Sequence, residues 1–196
     1  MPPTAEPDPG ACSAASRPRP AADADPSKPT AASGAASTSP RATELPLGPR
    51  LLATFFGTGL LRPGPGTWTS AVAALPLLLI PSDAYPFVVA AAAFLAYVLC
   101  VVLATRPHLR AVIDRDPGWF TLDEACGVWI AAWRPTGISP QSLLLAFALF
   151  RVFDIAKPPP IRRSQFVGGG HGIVLDDALA GLFALALGLS AHRFLG

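Results

Sequence analysis

From Leu47 onward the chain is a series of apolar blocks separated by short polar or proline-rich breaks. Residues 85–104 are apolar throughout, close to the roughly 20 residues an α-helix needs to cross a bilayer core. Shorter apolar blocks predict helices over 51–61, 67–80, 119–133, 141–156 and 176–194. Gly57 and Gly59 lie near the end of the first of these, and the second contains Pro76. Lys157, followed by Pro158, Pro159 and Pro160, stops the helix over 141–156, because proline cannot donate to a helical ladder. Segments 62–66, 81–84 and 134–140 read as turns, 105–118 as a polar loop, and 161–175 as a loop rich in Gly and Arg. Most of the blocks are shorter than a full span, which predicts tilted or re-entrant segments. The pattern as a whole predicts an all-α integral membrane protein, a compact bundle of four or five membrane helices.

The first 46 residues differ. They contain no Phe, Trp or Tyr, and 11 of the 23 prolines fall within residues 1–50. Such a stretch buries too little apolar area to offset its ordering entropy, so residues 1–46 are expected to form a disordered tail. The tail has no apolar core of the signal-peptide type. The membrane-embedded domain is expected over residues 47–196. Composition supports this division: 51% of the 196 residues are hydrophobic and 14% charged, against about 25% charged in soluble domains. Mean hydropathy is +0.43 despite the polar tail. A formal net charge of +2 gives no reason to expect a nucleic-acid partner. Cys12, Cys100 and Cys126 have no metal-binding spacing and imply no disulfide framework.

Charged residues at the edges of apolar blocks carry the candidate chemistry, since each needs a partner or a polar cavity if it meets lipid. Asp176 and Asp177 open the last block, where either could cap the helix; together they could also ligate Mg²⁺ through hard oxygen donors. Asp123 and Glu124 stand before another block, as helix-end charges, further metal ligands or a general base. Arg151 and Asp154 share a helix face and Lys157 follows three residues later, as an ion-pair network, a phosphate clamp or both. The run Gly168-Gly169-Gly170-His171-Gly172 is either a flexible loop or a backbone cradle for an anion, with Gly169 and Gly170 the candidate contacts. Thr67 either caps a helix or touches phosphate.

Orientation follows from the basic residues. The 105–118 loop holds Arg106, Arg110 and Arg115, and the 157–175 loop holds Lys157, Arg162 and Arg163. Placing both in the cytoplasm puts all the candidate residues at that face, provided that 119–133 crosses.

Four blocks in order resemble the phosphatidylglycerophosphatase A family. They are Gly57-Thr58-Gly59-Leu60 with Pro65-Gly66-Thr67, Leu122-Asp123-Glu124 with Gly127, the run from Arg151 through Asp154 to Lys157-Pro158, and Gly168 through Asp177. The resemblance covers about residues 50–190. It departs from the family in the first block, where Leu61 replaces Ser, Arg62 replaces Pro and Thr69 replaces Gly, with the loop length kept. The resemblance implies a lipid phosphatase of phospholipid biosynthesis in the bacterial cytoplasmic (inner) membrane, multi-pass, with its active site at the cytoplasmic face. Its substrate would be phosphatidylglycerophosphate within the bilayer lipids, and its cofactor Mg²⁺. Asp123, Glu124, Asp154 and Asp177 would be catalytic, and these four with Asp176 would hold the metal. Arg151, Lys157, Thr67, Gly169 and Gly170 would bind substrate. His171 is assigned no catalytic role. A membrane transporter and an inactive structural homologue are the competing expectations, the first requiring polar groups at several depths of the bundle.

Overall fold

The computed structural model describes residues 42–106, 118–164, 167 and 170–195. The expected tail therefore lies almost wholly outside the described residues, as do Gly168, Gly169, Arg110 and Arg115. Every regular element among the described residues is helical; Pro135 and Gly137 form only an isolated bridge.

The elements are α1 (Leu47–Ala53), α2 (Pro65–Ala74), α3 (Tyr85–Thr105), α4 (Leu122–Ala132), α5 (Pro140–Ala156), α6 (Pro159–Ser164) and α7 (Gly170–Leu195). Short 3₁₀ turns occupy Ala42–Glu44, Thr58–Leu60 and Leu75–Leu79. Pro65 opens α2 at a position where its missing N–H costs nothing. Pro76 converts the continuation of α2 into the 3₁₀ turn Leu75–Leu79, so the single helix expected over 67–80 is two pieces. Ser139 caps α5 by accepting from the Ser142 N–H at 3.2 Å. At its other end, Lys157 takes a left-handed conformation with φ 39° and ends the helix ahead of the prolines.

α4 lies at the centre, packed against α2, α3, α5 and α7. Its residues are small where neighbours come closest. A side chain at Gly127 would overlap the Phe150 ring and the Asp177 backbone, and one at Gly181 would overlap the Gly127 carbonyl. These two glycines let α7 cross α4 in backbone contact. Trp129 Nε1 donates to the Ala73 carbonyl at 2.8 Å and Tyr85 Oη to the Ala132 carbonyl at 2.9 Å, tying α4 to α2 and to the start of α3.

These contacts make the direction of the chain alternate through α2, α3, α4, α5 and α7. The 81–84 and 134–140 turns meet at one end, where a Cβ added at Gly137 would press on Ser82. The starts of α2, α4 and α7 and the end of α5 meet at the other. α3 and the 21 residues His171–Ala191 of α7 are long and apolar enough to cross a membrane. Their outward faces carry bare apolar side chains, among them Phe87, Phe94, Leu182 and Leu187. Continuous apolar surface of this kind is unfavourable in water.

Further expectations are corrected. The helix expected over 51–61 is instead the end of α1, which stops at Ala53, and the separate 3₁₀ turn Thr58–Leu60. The last helix begins at Gly170 and not at Asp176, so Asp176 and Asp177 sit in its second turn and neither caps it. The stretch 161–175, expected to be a loop, contains all but the start of α6 and the first residues of α7. Ile161 is wholly buried and its carbonyl accepts from Ser164 Oγ at 2.6 Å; this seats α6 against the bundle.

Candidate active site

The site forms where three helix termini converge. Asp123 and Glu124 occupy the first turn of α4, Asp154 and Lys157 the end of α5, and Asp176 and Asp177 the second turn of α7. All six line one cavity of about 180 Å³, together with Gly118, Phe120 and Ile173. Asp123, Asp176 and Asp177 are each no more than 6% exposed. Asp123 and Asp177 each precede by one helical turn a glycine of the close crossing, Gly127 and Gly181. Because α4 and α7 run the same way, the crossing brings the two aspartates to the same level.

Cations hold the remaining carboxylates in place. Arg151 Nη1 donates to Glu124 Oε2 at 3.0 Å and to Asp154 Oδ2 at 2.8 Å. Lys157 Nζ donates to Asp176 Oδ2 at 2.6 Å. Ser70 Oγ adds a 3.3 Å bond to Glu124 Oε2, and Asp123 Oδ1 accepts the Glu124 N–H at 2.9 Å. Phe150, fully buried in the niche left by Gly127, fixes the turn from which Arg151 projects. Burial pushes the Glu124 carboxyl up to about 7, with Asp154 adding to the rise and Arg151 opposing it. Burial by itself would lower the Lys157 ammonium, but the bond to Asp176 and the charges of Asp176, Asp177 and Asp154 raise it overall.

Five carboxylates thus face two cations, an excess of three negative charges when all are ionised. Such an excess repels a phosphate dianion unless a further cation is present. The all-oxygen donor set suits a hard divalent ion. As they stand, no three His, Cys, Asp or Glu side chains among the described residues converge closely enough to hold a metal. Arg151 draws Glu124 and Asp154 to one side, and Lys157 holds an oxygen of Asp176.

The structure gives roles to residues to which the sequence assigned none. A side chain at Gly66 would overlap the Glu124 carboxylate, so the Pro65-Gly66 pair lets the start of α2 close over the site. Ser70, one turn on, reaches the same carboxylate. A hydroxyl chain supports this corner: Thr69 Oγ1 donates to Thr121 Oγ1 at 2.9 Å and pairs with Thr58 Oγ1 at 2.7 Å. Thr69, a departure from the family pattern, is therefore a wholly buried strut. Thr67 is exposed and does not line the carboxylate cavity. Gly170 forms the first residue of α7 and not part of a loop, while Gly169 lies outside the described residues. His171 is exposed, with Nδ1 2.8 Å from Tyr97 Oη. Cys100 and Cys126 are buried free thiols.

Comparison with known proteins places this arrangement. Phosphatidylglycerophosphatase A of Haemophilus influenzae is 37% identical over 140 residues, which is 69% of this chain and 83% of that protein. Phosphatidylglycerophosphatase A of Escherichia coli is 33% identical over 142 residues, 70% of this chain and 79% of its own. A Bacteroides thetaiotaomicron protein provisionally named phosphatidylinositol-3-phosphatase is 32% identical over 158 residues, 76% of this chain and 96% of its own. No solved structure matches. The family model of phosphatidylglycerophosphatase A matches residues 51–192, a stretch that holds every cavity-lining residue named above. On that match the chain belongs to the phosphatidylglycerophosphatase A family.

Proposed function

We propose that this chain hydrolyses phosphatidylglycerophosphate to phosphatidylglycerol and inorganic phosphate, with Mg²⁺, as a step of phospholipid synthesis. The observation that carries the reading is the single cavity lined by Asp123, Glu124, Asp154, Asp176, Asp177 and Lys157 at one end of the bundle. Family membership supports the reaction class, phosphomonoester hydrolysis.

Asp123, Asp154, Asp176 and Asp177 would hold Mg²⁺, which when bound supplies charge neutralisation and Lewis acidity at the phosphoryl group. The chain's own groups do the rest. Lys157 Nζ, at the cavity edge, shares its charge between Asp176 and the incoming phosphate. Arg151 orients Glu124 and Asp154 from behind. Glu124 is held through Oε2, and its Oε1 carries no hydrogen bond among the described residues. That oxygen takes the proton of the attacking water. Phosphate-monoester hydrolysis is among the slowest uncatalysed reactions, so positioned charge accounts for most of the acceleration.

The membrane setting follows from the bare apolar faces of α3 and α7. The 11-residue α4 is too short to cross a bilayer by itself and lies within the bundle. Arg106, Arg162 and Arg163 lie at the site end, and the positive-inside tendency supports the reading of a multi-pass inner-membrane protein with its site at the cytoplasmic face. From Val128 to Ala132 α4 carries only apolar side chains, which argues against a polar transport path along this helix.

The test is phosphate release from phosphatidylglycerophosphate by purified protein with Mg²⁺ or EDTA, beside Asp177→Asn, with phosphatidylinositol 3-phosphate as rival substrate. Mg²⁺-dependent release that the variant loses is the expected result. Release only from the inositol lipid, or none from a folded protein in intact lipid, overturns the proposal.

A further inference from the structure

Beside the carboxylate cavity lies a second recess, of about 280 Å³, lined by Lys157, Pro159, Arg162 and Arg163. Lys157 belongs to both, so the sign of the surroundings reverses across a single side chain. Arg162 and Arg163 lie in the last turn of α6. They are exposed, and among the described residues neither is in an ion pair. Their placement is not that of a loose surface tail. Ile161 and Ser164, three apart on one face of α6, are buried, and this turns the two arginines outward. Lys157, in its left-handed conformation before a run of prolines, fixes the corner from which α6 starts.

We infer that the Lys157–Arg162–Arg163 recess is a second anion site, which takes the phosphodiester of the lipid while the monoester enters the carboxylate cavity. The inference rests on the proposed lipid phosphatase reading and adds to it a basis for substrate choice. The two phosphates of such a lipid are joined by a glycerol, and the two recesses are joined by Lys157. An arginine fork suits a phosphodiester, offering parallel donors to its non-bridging oxygens. A lipid with only a monoester would enter the carboxylate cavity and leave the arginines unused. Arg162 and Arg163 then determine specificity without touching the reacting phosphorus.

The experiment compares wild type with Arg162→Gln/Arg163→Gln in uncharged detergent micelles, so that attraction to an anionic surface does not contribute. Each protein is assayed on phosphatidylglycerophosphate and on phosphatidic acid, which has a monoester and no diester. The double variant is expected to lose on the order of 10- to 100-fold in kcat/KM on the first lipid and to leave the second unchanged. An equal fall on both lipids, or no fall on either, overturns the inference. A second measurement does not depend on catalysis: ³¹P line broadening of glycerophosphoglycerol, a phosphodiester without a monoester, by the Asp177→Asn protein. Broadening that disappears when the two arginines are also replaced supports the site even if the lipid phosphatase reading fails. Broadening that persists unchanged, or none at all, overturns it. Because both arginines are exposed, an unaltered thermal midpoint is expected.

Discussion

Gly181→Ala places a methyl group where α7 crosses α4. An added Cβ would overlap the Gly127 carbonyl oxygen and stand 3.2 Å from the Gly127 carbonyl carbon and 3.0 Å from Ile130 Cβ. Carbon atoms settle at about 3.5–4.0 Å. The nearest atoms are backbone, so relief requires the two helices to part by on the order of 1 Å, not a side chain to rotate. Overpacking of this kind costs about 1–3 kcal/mol, offset by about 1 kcal/mol from replacing glycine within a helix. The net loss of stability is therefore small, on the order of 1 kcal/mol. The effect on activity is larger, because Asp177 and Asp123 stand one turn from this crossing and move apart with it. A displacement of about 1 Å at a catalytic constellation costs on the order of 100-fold in rate. Gly188→Ala is the control, with the same gain in helix propensity. There the added Cβ meets Arg134 Nη2 at 3.0 Å and Leu149 Cδ1 at 3.8 Å, both ends of side chains that can shift. The assay is initial phosphate release per folded protein, with thermal unfolding midpoints recorded for both variants. If Gly181→Ala keeps the wild-type rate while it folds, the close crossing does not set the site geometry and the reasoning fails.

Thr69→Val keeps the shape of the side chain and removes the central hydroxyl of the Thr58–Thr69–Thr121 chain. It should cost about 1–3 kcal/mol of stability, seen as a lower unfolding midpoint, with the rate per folded molecule unchanged. Arg151→Met leaves Glu124 and Asp154 without their shared cation. The rate is expected to fall by on the order of 100-fold or more, with Arg151→Lys recovering part of it, because one ammonium keeps the charge but not the fork. Equal activity in the Met and Lys variants would show that Arg151 holds neither carboxylate in a productive position.

What the sequence determined by itself was local: where apolar blocks begin and end, and which charged residues stand at their edges. The helix over 85–104 was legible because twenty apolar residues without a break have one outcome at that length, and the end of α5 because Lys157 meets three prolines. The family motifs brought the five carboxylates to notice. Tertiary structure decided how they are used. Arg151 and Glu124 are 27 residues apart and Lys157 and Asp176 19 apart, and no helical periodicity reaches across a change of chain direction. The roles of Gly66, Gly127 and Gly181 depend on what another helix places against them, as does the bond from Ser70 to Glu124. The start of α7 was misread for the same reason. A run of glycines has low intrinsic helix propensity, yet burial of Val174 and Ala180 against the bundle carries the helix back to Gly170, because packing outweighs propensity.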